Sequence, residues 1–244
     1  MKYFVSTLLT IALLSGCASQ QVATPSLKEV NRVKVNSISK VEVFYHEDIY
    51  SIIDLGGSGL SGLSGLFGPL GTLVGMTADS ASKGTMKSRA ETRSEEFTKY
   101  VLQDNTSSLS YDFANALADK LKAEGKQVKV TKINRPMGDN SLVLSTTSDI
   151  TPTSDYARLI LRITPGYGAQ SATSSYQSLM LIETLLQDEY GGPISEYKVT
   201  KRNFSESYFT FAGLLSDHKK AFNDLKVGAI STTPSFYSGL FVTK

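Results

Sequence analysis

Tryptophan is absent from the 244 residues, cysteine occurs once, at Cys17, and histidine twice, at His46 and His218. A single thiol excludes an intramolecular disulfide and any Cys-cluster metal site. His46 begins the triplet His46-Glu47-Asp48. Adjacent strand residues point to opposite faces, so the triplet does not converge on an ion. No metal ligand set and no cofactor is expected. Gly71 and Gly75 lack the Lys that a phosphate loop carries after its last Gly. No strand–turn–helix frame for a nucleophile elbow is legible. The expectation is a protein that is not an enzyme. Neither charge dominates: 25 basic against 23 acidic residues give a net of +2. That balance lacks the basic excess of a nucleic-acid binder.

What is present begins at the N-terminus. Lys2 supplies a positive start, Phe4 to Leu14 a mainly apolar run, and Ser15 and Gly16 the small residues of a cleavage site. The run is about 11 residues, and a membrane span takes roughly 20. Leu14-Ser15-Gly16-Cys17 resembles the lipobox of bacterial lipoproteins. The resemblance implies cleavage between Gly16 and Cys17, with Cys17 as the lipid-attachment site. Residues 1–16 are then a signal peptide. Cys17 carries a diacylglycerol thioether and an amide-linked acyl chain such as palmitate. Each buried methylene contributes about 0.8 kcal/mol, so several chains anchor where one would not. Cleavage takes Lys2 from the 25 basic residues and leaves 24 against 23 acidic, a net of +1. Ala18 and Ser19 follow the Cys. The family's inner-membrane retention signal is an Asp there, so the resemblance implies the outer membrane, with the domain facing the periplasm.

Residues 17–35 read as a lipidated N-terminus and polar tether, and 36–244 as one domain. Val41-Glu42-Val43-Phe44-Tyr45 reads as its first strand. An apolar insertion, 55–78, follows it without a charge. Its glycines at 56, 59, 62, 65, 68 and 71 recur every third residue. A step of three turns an α-helix by about 300°, so these glycines mark no single face. Collagen would need more Pro than Pro69 alone. Two readings of the insertion stand: a close-packed or mobile apolar segment lying against its own domain, or a contact to a membrane or partner through Leu60, Leu63, Leu66, Phe67 and Leu70.

Alternating charges within Lys83 to Gln103, from Lys87 to Lys99, predict a solvated helix over that stretch. Ser107 or Ser108 then caps a second helix, whose Leu109, Phe113, Leu117 and Leu121 form one apolar stripe. Gly125 ends it. Val128, Val130 and Ile133 predict a strand. Leu159 to Ile163, 174–187 and 194–203 predict three more, the last two joined by Tyr190-Gly191-Gly192-Pro193. Glu183 and Lys198 fall where they could face across that hairpin. A last helix runs through His218, Phe222, Leu225 and Ala229, and an apolar tail follows from Ile230.

The expected fold is α+β: one mixed sheet of about five strands packed by two or more helices, with the Gly-rich insertion after the first strand. This element order resembles small periplasmic α/β lipoprotein domains. Among them are the curli-secretion lipoprotein, the lipoprotein activators of penicillin-binding proteins and the N-terminal domain of the Tol-system propeller protein. The Gly-rich stretch and Asp155-Tyr156-Ala157-Arg158-Leu159-Ile160-Leu161 also resemble those of Gly-rich proteobacterial lipoproteins. The resemblance implies an envelope lipoprotein that binds another protein as an adaptor or structural component. The alternative is an accessory carrier for a lipid or other apolar ligand. The partners implied are the membrane, through the anchor, and an envelope protein, with no nucleic acid.

Overall fold

The computed structural model describes residues 26–28, 32–54, 81–104, 108–134, 142, 153–169 and 173–241. The lipobox and the Gly-rich insertion lie outside them. The described chain is α+β, with one mixed sheet and helices on one of its faces. In chain order the elements are β1 (Ser26–Lys28), α1 (Arg32–Ser37), β2 (Lys40–His46), β3 (Ser51–Asp54), α2 (Ala81–Asp104) and α3 (Leu109–Ala123). β4 (Gln127–Ile133), β5 (Tyr156–Ala169), β6 (Gln177–Gln187) and β7 (Pro193–Arg202) follow. α4 (Phe211–Ser216), α5 (His218–Ile230) and α6 (Thr233–Phe241) complete the series. The strands lie in the order β1-β7-β6-β5-β2-β4, with β3 also on β5.

β5 is the axis of the sheet. Of its 14 residues, Arg158 to Gly168 pair antiparallel with β6 along one edge. The other edge takes β2 in its first half and β3 in its second, both parallel. Gly166 makes the second pairing possible: a Cβ there would lie 1.8 Å from the Ser51 carbonyl oxygen. β4 joins β2 in parallel and ends the sheet. β1 ends the other side, antiparallel to β7. β1 and the first four residues of α1 fall within the stretch read as tether, yet Val35 of α1 is buried in the core.

The helical stripe is placed as its spacing predicts. Leu109, Phe113, Leu117 and Leu121 are all fully buried. Ser108 caps α3 by accepting from the Tyr111 N–H at 3.2 Å, and Gly125 follows the helix at φ +82°. Asp48 adds a cap from 61 residues away: its carboxylate accepts from the N–H groups of Leu109 at 2.7 Å and Ser110 at 2.9 Å. The apolar tail is a helix, α6, rather than irregular chain. Pro234 sits in its first turn, where a missing N–H costs nothing. Phe236 meets Phe113 edge-on at 5.5 Å and Tyr197 at 4.8 Å, which closes the core between α3 and β7.

Candidate functional site

Ionisable side chains gather on the sheet face away from the helices, because register puts them there. Arg162, Glu183 and Lys198 are direct cross-strand partners on β5, β6 and β7. The Arg162 Nε donates to Glu183 Oε2 at 2.9 Å, and Lys198 Nζ lies 3.2 Å from Glu183 Oε1. Arg162 and Glu183 are buried. On β2, the fully buried Glu42 accepts from Tyr156 Oη at 2.9 Å and Thr131 Oγ1 at 3.0 Å, and Lys129 Nζ approaches to 3.3 Å. Each of the four carboxylate oxygens therefore has a cation or a hydroxyl donor against it. They hold strands in register; neither presents a bare oxygen to a substrate.

His46 is buried on the same face. His218, at the start of α5, has both ring nitrogens engaged: Nδ1 at 2.8 Å from the Leu215 carbonyl and Nε2 at 2.5 Å from Asp104 Oδ2. The Asp104 carboxyl is correspondingly held below its ordinary range, first by that hydrogen bond. The pair clamps the end of α2 to α5, and its geometry leaves no ring nitrogen to act as a base. Among the described residues no group of His, Cys, Asp and Glu is arranged to hold a metal ion.

Among the described residues, an open groove of about 580 Å³ lies between α2 and the start of α4. Ser88, Arg89, Thr92, Arg93, Glu96 and Phe211 line it. α2 runs antiparallel to β3, tied by Ile52 N–H to Ser94 Oγ at 2.8 Å and by Thr98 Oγ1 to the Tyr50 carbonyl at 3.4 Å. Arg89 and Arg93, one turn apart, thereby reach the end of the sheet where β3 and β5 finish. The Arg93 guanidinium lies 5.0 Å over the Phe211 ring and donates to Tyr176 Oη. The cation–π contact and the hydrogen bond together restrain the guanidinium. Phe209, two residues before Phe211, is 79% exposed. The groove thus sets two guanidinium groups, hydroxyls and an aromatic face against one carboxylate, that of Glu96.

The sequence-predicted contact residues Leu60, Leu63, Leu66, Phe67 and Leu70, and the anchor residues Gly16 and Cys17, lie outside the described residues. Arg89, Arg93, Tyr176, Phe209 and Phe211 were not legible as a site. The i, i+4 spacing of the two arginines was a signal, but the aromatics come from two other parts of the chain.

No protein-family profile matches this chain, and no curated protein matches it. Among solved structures it is similar to the PelC dodecamer from Paraburkholderia phytofirmans. The two share 10% identity over 91% of this chain and 99% of that one, with a TM-score of 0.32. A variant PelC dodecamer from the same organism, in a second crystal form, gives 8% identity over 91% and 98%, with a TM-score of 0.29. Likeness at this level carries no argument about what this chain does.

Proposed function

We propose that the protein is a lipid-anchored envelope protein that acts as an adaptor, binding another protein from the membrane surface. The observation that carries this reading is the Leu14-Ser15-Gly16-Cys17 motif directly after an apolar run. The structure supports it through the disposition of charge. Glu42 and Glu183 are occupied in cross-strand ion pairs, Asp48 in a helix cap and His218 in a clamp. Among the described residues, this reading therefore uses surface. Edge strand β4 pairs with β2 on one side, and among the described residues no strand lies on its other side. Such an edge suits strand addition by a partner. Crosslinking in intact cells, followed by mass spectrometry of the purified protein, tests the reading. A recurrent envelope-protein crosslink mapping to this domain is expected. Recovery of the protein without a crosslinked protein, but with a stoichiometric lipid in native mass spectrometry, would favour the carrier alternative.

A further inference from the structure

The two ends of the sheet differ in what leaves them. At one end β6 turns into β7 through residues 188–192, a tight turn closed by the Asp188 carboxylate on the N–H groups of Tyr190 and Gly192. At the other end β3 finishes at Asp54 beside Ala169, and the uncharged 55–78 stretch departs there. The chain returns at Ala81 as α2, which runs back along β3. The loop carrying Phe209 is pinned to this same end by the Tyr176–Tyr208 bridge, next to the Gln177–Gly168 pair.

The N-terminal segment points the same way. β1 pairs Ser26 with Lys198 and Lys28 with Glu196, so the N-terminal end of β1 is directed toward the Arg202 side of β7. From Cys17 to Ser26 is nine steps, a reach of roughly 30 Å at 3.3–3.6 Å each. From the level of Lys198 to Arg202 is about 13 Å at 3.3 Å per residue. An anchor at Cys17 thus meets this end without reversing direction. To place the opposite end on the membrane, the tether would have to fold back along the domain.

We propose that the end of the domain bearing Phe209, Phe211 and Arg89 rests on the leaflet that holds the protein's own anchor. Phe209 enters the interfacial region, and the Arg89–Arg93 groove lies against anionic headgroups. The chemistry is that of peripheral attachment: an apolar ring in the acyl boundary and cations at the phosphate level. Two weak contacts suffice because the anchor has already removed the cost of reaching the surface; the second event is intramolecular. The inference rests on acylation of Cys17, and it adds an orientation to that reading.

A thiol probe tests it in the full lipidated chain, because the acylated Cys17 leaves no other cysteine to label. Phe209→Cys and Tyr190→Cys carry the probe at exposed sites on the two ends, separated by the 11 residues of β6, roughly 36 Å at 3.3 Å per residue. Each labelled protein is placed in phosphatidylethanolamine–phosphatidylglycerol vesicles containing a shallow spin-labelled lipid. The probe at 209 should be blue-shifted and quenched several-fold more than the probe at 190. Arg89→Glu, at an exposed position, should reduce the quenching at 209. Equal quenching at the two sites, or stronger quenching at 190, overturns the orientation while vesicle flotation still upholds the anchor. Failure of the full chain to float with vesicles overturns the anchor and the orientation with it.

Discussion

Removing the Glu183 carboxylate leaves Arg162 as a buried cation with its principal acid gone. In the folded protein the Arg162 side chain is 3% exposed and Glu183 9%, whereas Lys198 is 31% exposed and can turn its ammonium to water. The loss therefore falls on Arg162. Breaking a buried pair from one side costs about 3–5 kcal/mol. For a domain of this size each kcal/mol lowers the melting temperature by about 2–4 °C, so Glu183→Leu should lower it by about 6–20 °C. Replacing both partners has the opposite logic. Arg162→Met with Glu183→Leu removes the two desolvation penalties together, and the double variant should recover most of the loss. Thermal melts by circular dichroism of the wild type, both single variants and the double variant close the cycle. A Glu183→Leu cost below about 1 kcal/mol would show that the pair is solvated and that the sheet face is not a buried ion layer. A double variant as unstable as the single would show that the triad holds the strand register itself.

Gly166→Ala should destabilise more than an ordinary Gly-to-Ala change, because its Cβ would collide with the Ser51 carbonyl. Hydrogen exchange should then show β3 detached first, and a neutral effect would refute the close pairing. Leu117→Ala should cost about 2–5 kcal/mol and Lys122→Ala less than about 0.5 kcal/mol; equal melting shifts would mean that α3 does not pack on the sheet. Asp104 titrates below its ordinary 3.8 because of His218, so its contribution to stability is present above that value and fades as pH falls through the lower folded value. Melts followed down the acid limb should lose this dependence in His218→Gln, and an unchanged profile would remove the clamp from the account. Asp at Leu63 and Leu66 should leave the fold intact by circular dichroism and weaken binding to liposomes or to the crosslinked partner. A large fall in melting temperature would instead place the segment in the domain's own core.

The helices and strands with strong periodicity could be read directly. α3 was legible because four large apolar residues at a spacing of four have few other uses, and a capping Ser108 and terminal Gly125 bracket them. The β6–β7 hairpin was legible from its turn, and its observed register does set Glu183 opposite Lys198. β3 was not, because four residues are too few to show alternation and the Gly166 that admits them is 112 residues ahead of Asp54. β1 was hidden by its three-residue length, and α6 by Pro234, which reads as a breaker unless its place in the first turn is known. β5 extends well past the predicted 159–163 through Pro165 and Gly166. Both residues argue against a strand, and here they serve as the site where the sheet changes partner. The groove was illegible for a simpler reason: Arg93, Tyr176 and Phe211 meet only after α2 folds along β3.

Acylation at residue 17 is the claim on which the proposed function depends. Cells expressing wild type and Cys17→Ser are grown with labelled palmitate, fractionated, and the protein recovered from each fraction. The account predicts label and membrane partition for wild type, and loss of both for the Ser variant. A Ser variant that keeps the label, or that stays with the membranes as tightly as wild type, would contradict it.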